Sequence, residues 1–122
     1  MLLAEDNLVN QKLAEAILSK IGCRVEVASN GVEAVALASA LPFDISFMDC
    51  QMPEMDGYEA ARRIREGAAP DAPRVPIIAL TANAMDGDRE RCLAAGMDDY
   101  VTKPLDPKRL RNVLAKWHAV PA

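Results

Sequence analysis

Short apolar runs alternate along this chain with stretches of helical periodicity, and turn residues separate them. Leu2–Ala4 is a brief apolar run, a short first strand, that ends in Glu5-Asp6-Asn7. Val9, Leu13, Ile17 and Ile21 then recur every four residues, which predicts one face of a helix, and Gly22 follows as its stop. Residues 24–28 alternate as a half-exposed strand does. Asn30, with Glu33 three residues on, predicts a capped second helix that Pro42 closes. Residues 45–48 form a third apolar run, ending at Asp49, and Asp56-Gly57-Tyr58-Glu59 opens a third helix that stops near Gly67. Residues 67–74 hold three Ala, two Pro and one Asp without periodicity, a loop composition. The most continuous apolar run, residues 75–80, predicts a central strand covered on both faces and ended by Thr81. A polar helix is predicted from about Asp86 to Ala95, with Gly96 as its stop. Residues 100–101 are a fifth short strand that leads to Lys103-Pro104. Asp106-Pro107 then supplies a cap and a first-turn proline for a helix with Leu110, Val113, Leu114 and Trp117 on one face.

These are five strand–helix units with no internal repeat and no second domain. Alternation with short connections implies an α/β fold, doubly wound, with a parallel sheet and helices on both faces. Such folds bind their ligands at the carboxyl ends of the strands. Glu5 and Asp6 stand at the end of the first strand, Asp49 at the third, Thr81 at the fourth, and Lys103 just after the fifth.

Composition narrows the chemistry. A chain of 122 residues, 51% hydrophobic, fits one domain that needs no disulfide or structural metal to fold. It has no apolar run of membrane-helix length and no basic N-terminal region of a signal peptide. No membrane insertion by this segment is therefore expected. A net charge of −4 argues against direct binding of nucleic acid. Cys23, Cys50 and Cys92 are far apart and lack metal-ligand spacing, so they are expected to be small buried apolar residues. The one histidine, His118, lies four residues from the end of the sequence, which disfavours a Ser/His or Cys/His nucleophilic machine. What chemistry there is falls to carboxylates, a lysine and a hydroxyl.

Three carboxylates at one rim repel one another, and a divalent cation removes the conflict. Oxygen-only ligands favour Mg²⁺ over Zn²⁺. Mg²⁺ takes one or two carboxylates plus phosphate oxygen, which leaves a carboxylate free to meet phosphorus in line and form an acyl phosphate. Each part taken alone has an ordinary structural explanation. An acidic pair after a strand is commonly a solvated loop, a strand-end Asp a helix cap, and a loop Thr or Lys plain surface. The coherence lies in all of them falling at strand ends of one small domain.

The segments AEDNLVNQ (residues 4–11), MDCQMPEMDGYEA (48–60), ALTANA (79–84) and AAGMDDYVTKP (94–104) closely resemble the response-regulator receiver domain of two-component signalling. Their wording is most like the receivers of hybrid sensor histidine kinases. The resemblance implies a flavodoxin-like five-stranded parallel sheet in the order 2-1-3-4-5. It implies that Asp49 accepts a phosphoryl group from a phosphohistidine on a histidine kinase or histidine phosphotransfer domain. It also implies that Asp6, Asp49 and the Gln51 backbone carbonyl bind Mg²⁺, with Mn²⁺ as a substitute. Glu5, where the family often has Asp, is expected to act through a metal-bound water. Thr81 and Lys103 would contact the phosphoryl oxygens, small Ala82 would leave them room, and Lys103-Pro104 matches a peptide that is usually cis in the family. On phosphorylation Thr81 would move, Tyr100 would turn, and the surface of the fourth helix, fifth strand and fifth helix would change. Gln51 and Asn83 are expected to flank the phosphoryl group and tune its lifetime.

With only residues 1–4 before the acidic pair, the chain is expected to be a single receiver domain, residues 1–122, with a shortened first strand, taken from a longer protein. The domain is expected to be cytoplasmic and, in isolation, not an enzyme beyond assisting its own phosphorylation and dephosphorylation. Two other classes share the residues. An Mg²⁺-dependent phosphohydrolase with an Asp nucleophile commonly has DxD after its first strand, where this chain has Glu5-Asp6-Asn7. A pseudo-receiver used only for docking would need none of Asp6, Asp49, Thr81 and Lys103.

Overall fold

The pattern of alternating elements is realised as β1 (Leu2–Ala4), α1 (Leu8–Ile21), β2 (Glu26–Ala28), α2 (Gly31–Ala40), β3 (Ser46–Asp49), α3 (Gly57–Gly67), β4 (Ile77–Thr81), α4 (Asp86–Ala94), β5 (Asp99–Thr102) and α5 (Pro107–Lys116). A computed structural model describes residues 1–40, 43–50, 52, 54–67, 75–81, 86–102 and 105–117, with only the backbone for 86–89. All five strands are parallel and lie in the order β2-β1-β3-β4-β5.

Local chemistry starts the helices and stops α1 close to where the sequence placed them, while Pro42, expected to close α2, lies outside the described residues. The Asn7 side chain accepts a hydrogen bond from the Asn10 amide at 3.1 Å, and Gly22 ends α1 in the left-handed region at φ 101°. Asn30 accepts from the Glu33 amide at 2.8 Å, while the Glu33 carboxylate accepts from the Ser29 amide at 3.0 Å. Asp56 accepts from the Glu59 amide at 2.9 Å and Asp106 from the Lys108 amide at 2.8 Å. β4 begins at Ile77, two residues later than its apolar run suggested. Pro76 has no N–H for a ladder, although its carbonyl accepts from the Ser46 amide at 2.9 Å. Every residue of β1, β3 and β4 is buried, as interior strands require; β3 holds the middle and β4 lies between β3 and β5.

The side-chain alternation of the strands divides the core in two. Leu3, Phe47, Ile78, Leu80 and Val101 pack with Ala14, Ile17 and Leu18 of α1 and with Leu110 and Leu114 of α5. Leu2, Ala4, Met48, Ile77 and Ala79 pack on the other side with Ala34, Tyr58, Ala61 and Cys92 from α2, α3 and α4. Cys50 and Cys92 are buried as expected, and Cys23 is half-buried.

The apolar face of α1 is covered only along its second half, where Ile21 also packs against the core. Of the four-residue stripe on α1, Ile17 is buried, but Val9 is 74% and Leu13 42% exposed, beside Leu8 at 62%. A 14-residue helix is about 21 Å long, whereas the three-residue strand before it spans about 10 Å. The first turns of α1 therefore extend past the sheet edge and have no layer to pack on.

Candidate functional site

Register brings the acidic residues together. Ala4 pairs with Met48, so Glu5, one residue past the end of β1, comes level with Asp49 at the end of β3. Glu5, Asp6 and Asp49 each offer a carboxylate oxygen, and these three oxygens lie within 4.8 Å of one another. Glu5 and Asp49 are buried, at 1% and 5% exposure, and Asp6 is exposed, so the cluster opens to solvent on one side only.

The backbone around the acids is held from several directions. The Glu5 amide donates to the Ala28 carbonyl at 3.0 Å, extending the β1–β2 ladder by one bond. The Glu5 carboxylate accepts from the Asn7 amide at 3.2 Å, and the Gln11 side-chain amide donates to the Glu5 carbonyl. The Cys50 amide donates to the Leu80 carbonyl at 3.1 Å, which fixes the chain just after Asp49 against β4. Gln11 is a contributor that sequence reasoning passed over. A glutamine in the first turn of a helix carries no local signal of a contact with a carbonyl six residues earlier.

Thr81, the last residue of β4, is buried at 7% exposure and sits one residue beyond the Asp49–Leu80 pair, on the same rim. Thr102 pairs with Thr81 in register, which brings the end of β5 to that level. Lys103, Gln51, Asn83, Ala82 and Pro104, all named from the sequence, lie outside the described residues. Tyr100 is half-buried and packs against the α2–α3–α4 side of the core. It also lines an open groove of about 480 Å³, with Leu93, Thr102, Arg109, Asn112 and Lys116 around it.

Cys50 adjoins Asp49 but is no rival nucleophile. Burial pushes its thiol up to about 12, partly offset by the hydrogen bond to Tyr58, with Cys92 and Asp49 adding to the rise. Only a thiolate attacks, so Cys50 is inert near neutral pH. Burial and the Cys50 contact likewise raise the Tyr58 hydroxyl, over whose ring the Arg91 guanidinium sits at 4.2 Å.

The donor set of the acidic cluster suits a hard cation. It offers three carboxylates and no histidine or cysteine, with one member facing water where a partly hydrated Mg²⁺ would keep its waters.

Over residues 1–115 the sequence matches the response regulator receiver domain. The chain belongs to that family. As a receiver it is a signalling domain of two-component phosphorelays, with the fold and strand order that the resemblance implied. It is 43% identical over 124 residues to a protein of Oryza sativa subsp. indica named "Probable histidine kinase 2", with 90% of this chain aligned. The chain spans about 12% of that relative's length. Among solved structures it is similar to the receiver domain of the sensor histidine kinase PA1611 from Pseudomonas aeruginosa PAO1, which has a magnesium ion coordinated in its active site cleft. That similarity has a TM-score of 0.85 at 49% identity and covers 95% of this chain and 93% of the other. The receiver domain of Saccharomyces cerevisiae Ssk1, solved with the histidine phosphotransfer protein Ypd1, superposes with a TM-score of 0.87 at 34% identity, covering 95% and 86% of the two chains. Among the described residues, no helix of this receiver is long and apolar enough to cross a membrane.

Proposed function

We propose that this receiver takes a phosphoryl group from a phosphohistidine onto the Asp49 carboxylate, with Mg²⁺ held by Asp6, Asp49 and the Gln51 carbonyl and with Glu5 acting through a metal-bound water. The observation that carries the reading is the convergence of Glu5, Asp6 and Asp49 from two strand ends on one spot. Bound Mg²⁺ would neutralise the clustered carboxylates and draw charge from the phosphoryl oxygens. An Asp49 oxygen forms the new bond to phosphorus as the phosphorus–nitrogen bond to the donor imidazole breaks, and the imidazole leaves with a proton from solvent. Thr81 and Lys103 contact the phosphoryl oxygens and donate where charge develops. Gln51 and Asn83 flank the group and set how fast water removes it.

Loading the site adds about −1.5 to −2 charges. Thr81 then moves toward the phosphoryl group and Tyr100 turns into the space released, which alters the groove between α4, β5 and α5. The donor is a histidine kinase or histidine phosphotransfer domain. It seats on the exposed start of α1, where Leu8 and Val9 offer an apolar footing beside Asp6. We further propose that the parent chain is a hybrid histidine kinase and that this domain works in the cytoplasm.

Incubation with Mg²⁺ and acetyl phosphate tests the reading. The expected result is a mass gain of one phosphoryl group, acid-stable and base-labile, that chelation or Asp49→Asn abolishes. Labelling that persists in Asp49→Asn would sink it, and catalytic turnover of diverse phosphate esters would favour a phosphohydrolase instead.

A further inference from the structure

We propose that Gly57 is a positioning residue for Asp49: its bare Cα lets the first turn of α3 press directly on the Asp49–Cys50 peptide and so sets where the reactive carboxylate points. This rests on the phosphoacceptor reading of Asp49 and adds what holds that residue in place. A Cβ at Gly57 would lie 2.2 Å from the Asp49 carbonyl oxygen, 2.9 Å from its carbonyl carbon and 3.0 Å from the Cys50 Cα. All three are backbone atoms, which cannot swing aside as the end of a side chain can. Gly57 does not have a positive φ, so its need for glycine comes from close approach and not from an unusual backbone angle.

The same contact closes the loop. The Gly57 amide donates to the Cys50 carbonyl at 3.2 Å, and the Asp56 cap at Glu59 fixes the first turn of α3 that delivers it. On the other side the Cys50 amide is bonded to Leu80. The peptide after Asp49 is thus gripped between β4 and α3. A methyl group at position 57 must displace one wall by about 1 Å, a misplacement of the size that costs roughly 10²-fold in a reaction that depends on alignment.

Two other glycines supply controls. Gly31, at the start of α2, is equally crowded, since a Cβ there would lie 2.4 Å from the Met55 carbonyl oxygen. It bears on Met55, near the end of the same loop, and the three atoms nearest to that Cβ all belong to Met55 rather than to the Asp49 peptide. Gly67, at the far end of α3, has nothing within 4 Å of a Cβ.

The experiment compares Gly57→Ala, Gly31→Ala and Gly67→Ala with wild type. It measures the maximal rate of labelling by acetyl phosphate, Mg²⁺ affinity by calorimetry, and melting temperature. Gly57→Ala is expected to lower the maximal rate about 100-fold, whereas Gly31→Ala loses melting temperature with its rate within about threefold of wild type. Gly67→Ala should match wild type in rate. Equal rates in Gly57→Ala and wild type, or rate losses in Gly57→Ala and Gly31→Ala that simply follow their melting temperatures, would overturn the proposal. If Gly57→Ala does not fold, wild-type hydrogen exchange decides. The Gly57 amide should exchange at least tenfold more slowly when Mg²⁺ and beryllofluoride, a phosphoryl mimic, are added, and unchanged exchange overturns the proposal. A wild type that takes no label at all would instead overturn the phosphoacceptor reading.

Discussion

Arg65 commits its guanidinium fork to the end of the sheet opposite the acidic site. It donates to the Gly96 carbonyl at 3.0 Å, to the Val75 carbonyl at 2.7 Å and to the Asp98 carboxylate at 2.6 Å. Asp98 in turn accepts from the Ile77 amide at 2.9 Å, so one ion pair ties α3 to the starts of β4 and β5. Both side chains are mostly buried, at 19% and 11% exposure. Arg65→Ala, which leaves carbonyls and a carboxylate without this donor, should cost about 2–4 kcal/mol in denaturant unfolding. The next residue, Asp99, accepts from Lys116 at 3.0 Å and from the Trp117 indole at 3.1 Å. Burial alone would raise its carboxyl, but the Tyr100 amide, Lys116 and Trp117 together outweigh burial and hold it below its ordinary value. A lowered carboxyl stabilises the fold above its unfolded pKa of about 3.9, and that contribution fades as pH falls through the folded value. Asp99→Asn should therefore flatten the fall of melting temperature below about pH 4 while lowering it at neutral pH. Glu5, Asp6 and Asp49 were legible in the sequence because they stand one or two residues past the end of an apolar run, and strand ends in this fold class share a rim. Arg65 was not, because its partners are mostly backbone carbonyls at remote positions, which no residue-type pattern records.

Helix ends proved more legible than helix faces. Gly22, Asn30, Asp56 and Asp106 act through bonds to neighbours a few residues away, so local sequence contains the whole interaction. The face of α1 is different, because which apolar residues are covered depends on how far β1 reaches beneath them. The uncovered residues give a prediction that separates donor docking from chemistry. Leu8→Ser with Val9→Ser touches no core, so stability should change by no more than about 0.5 kcal/mol per site. Phosphotransfer from a histidine phosphotransfer protein should fall about tenfold or more, on the order of 1 kcal/mol lost per apolar contact. Labelling by acetyl phosphate should be unchanged, since that donor needs no footing on α1. A drop in both reactions would move the effect from docking to the site itself.

At the scale of the molecule, the proposed Mg²⁺ site predicts that the cation adds to the stability of the fold. Carboxylate oxygens within 4.8 Å, two of them on buried residues, repel strongly where water is partly excluded. Mg²⁺ at one hundred times its dissociation constant should add about 2.7 kcal/mol of stability, or roughly 10 °C in melting temperature for a domain of this size. Thermal scans with Mg²⁺ and with chelator check this, and Asp6→Asn should abolish most of the difference. The strand order has a kinetic corollary. Ala4 and Met48 are neighbours only after a long loop has closed, and the clustered carboxylate oxygens meet only once β1 lies against β3. A disordered chain therefore has no cluster for the ion to grip. Mg²⁺ should leave the refolding arm of a chevron where it is and shift the unfolding arm to slower rates, so that the ion delays the exit from the native state without hastening entry into it.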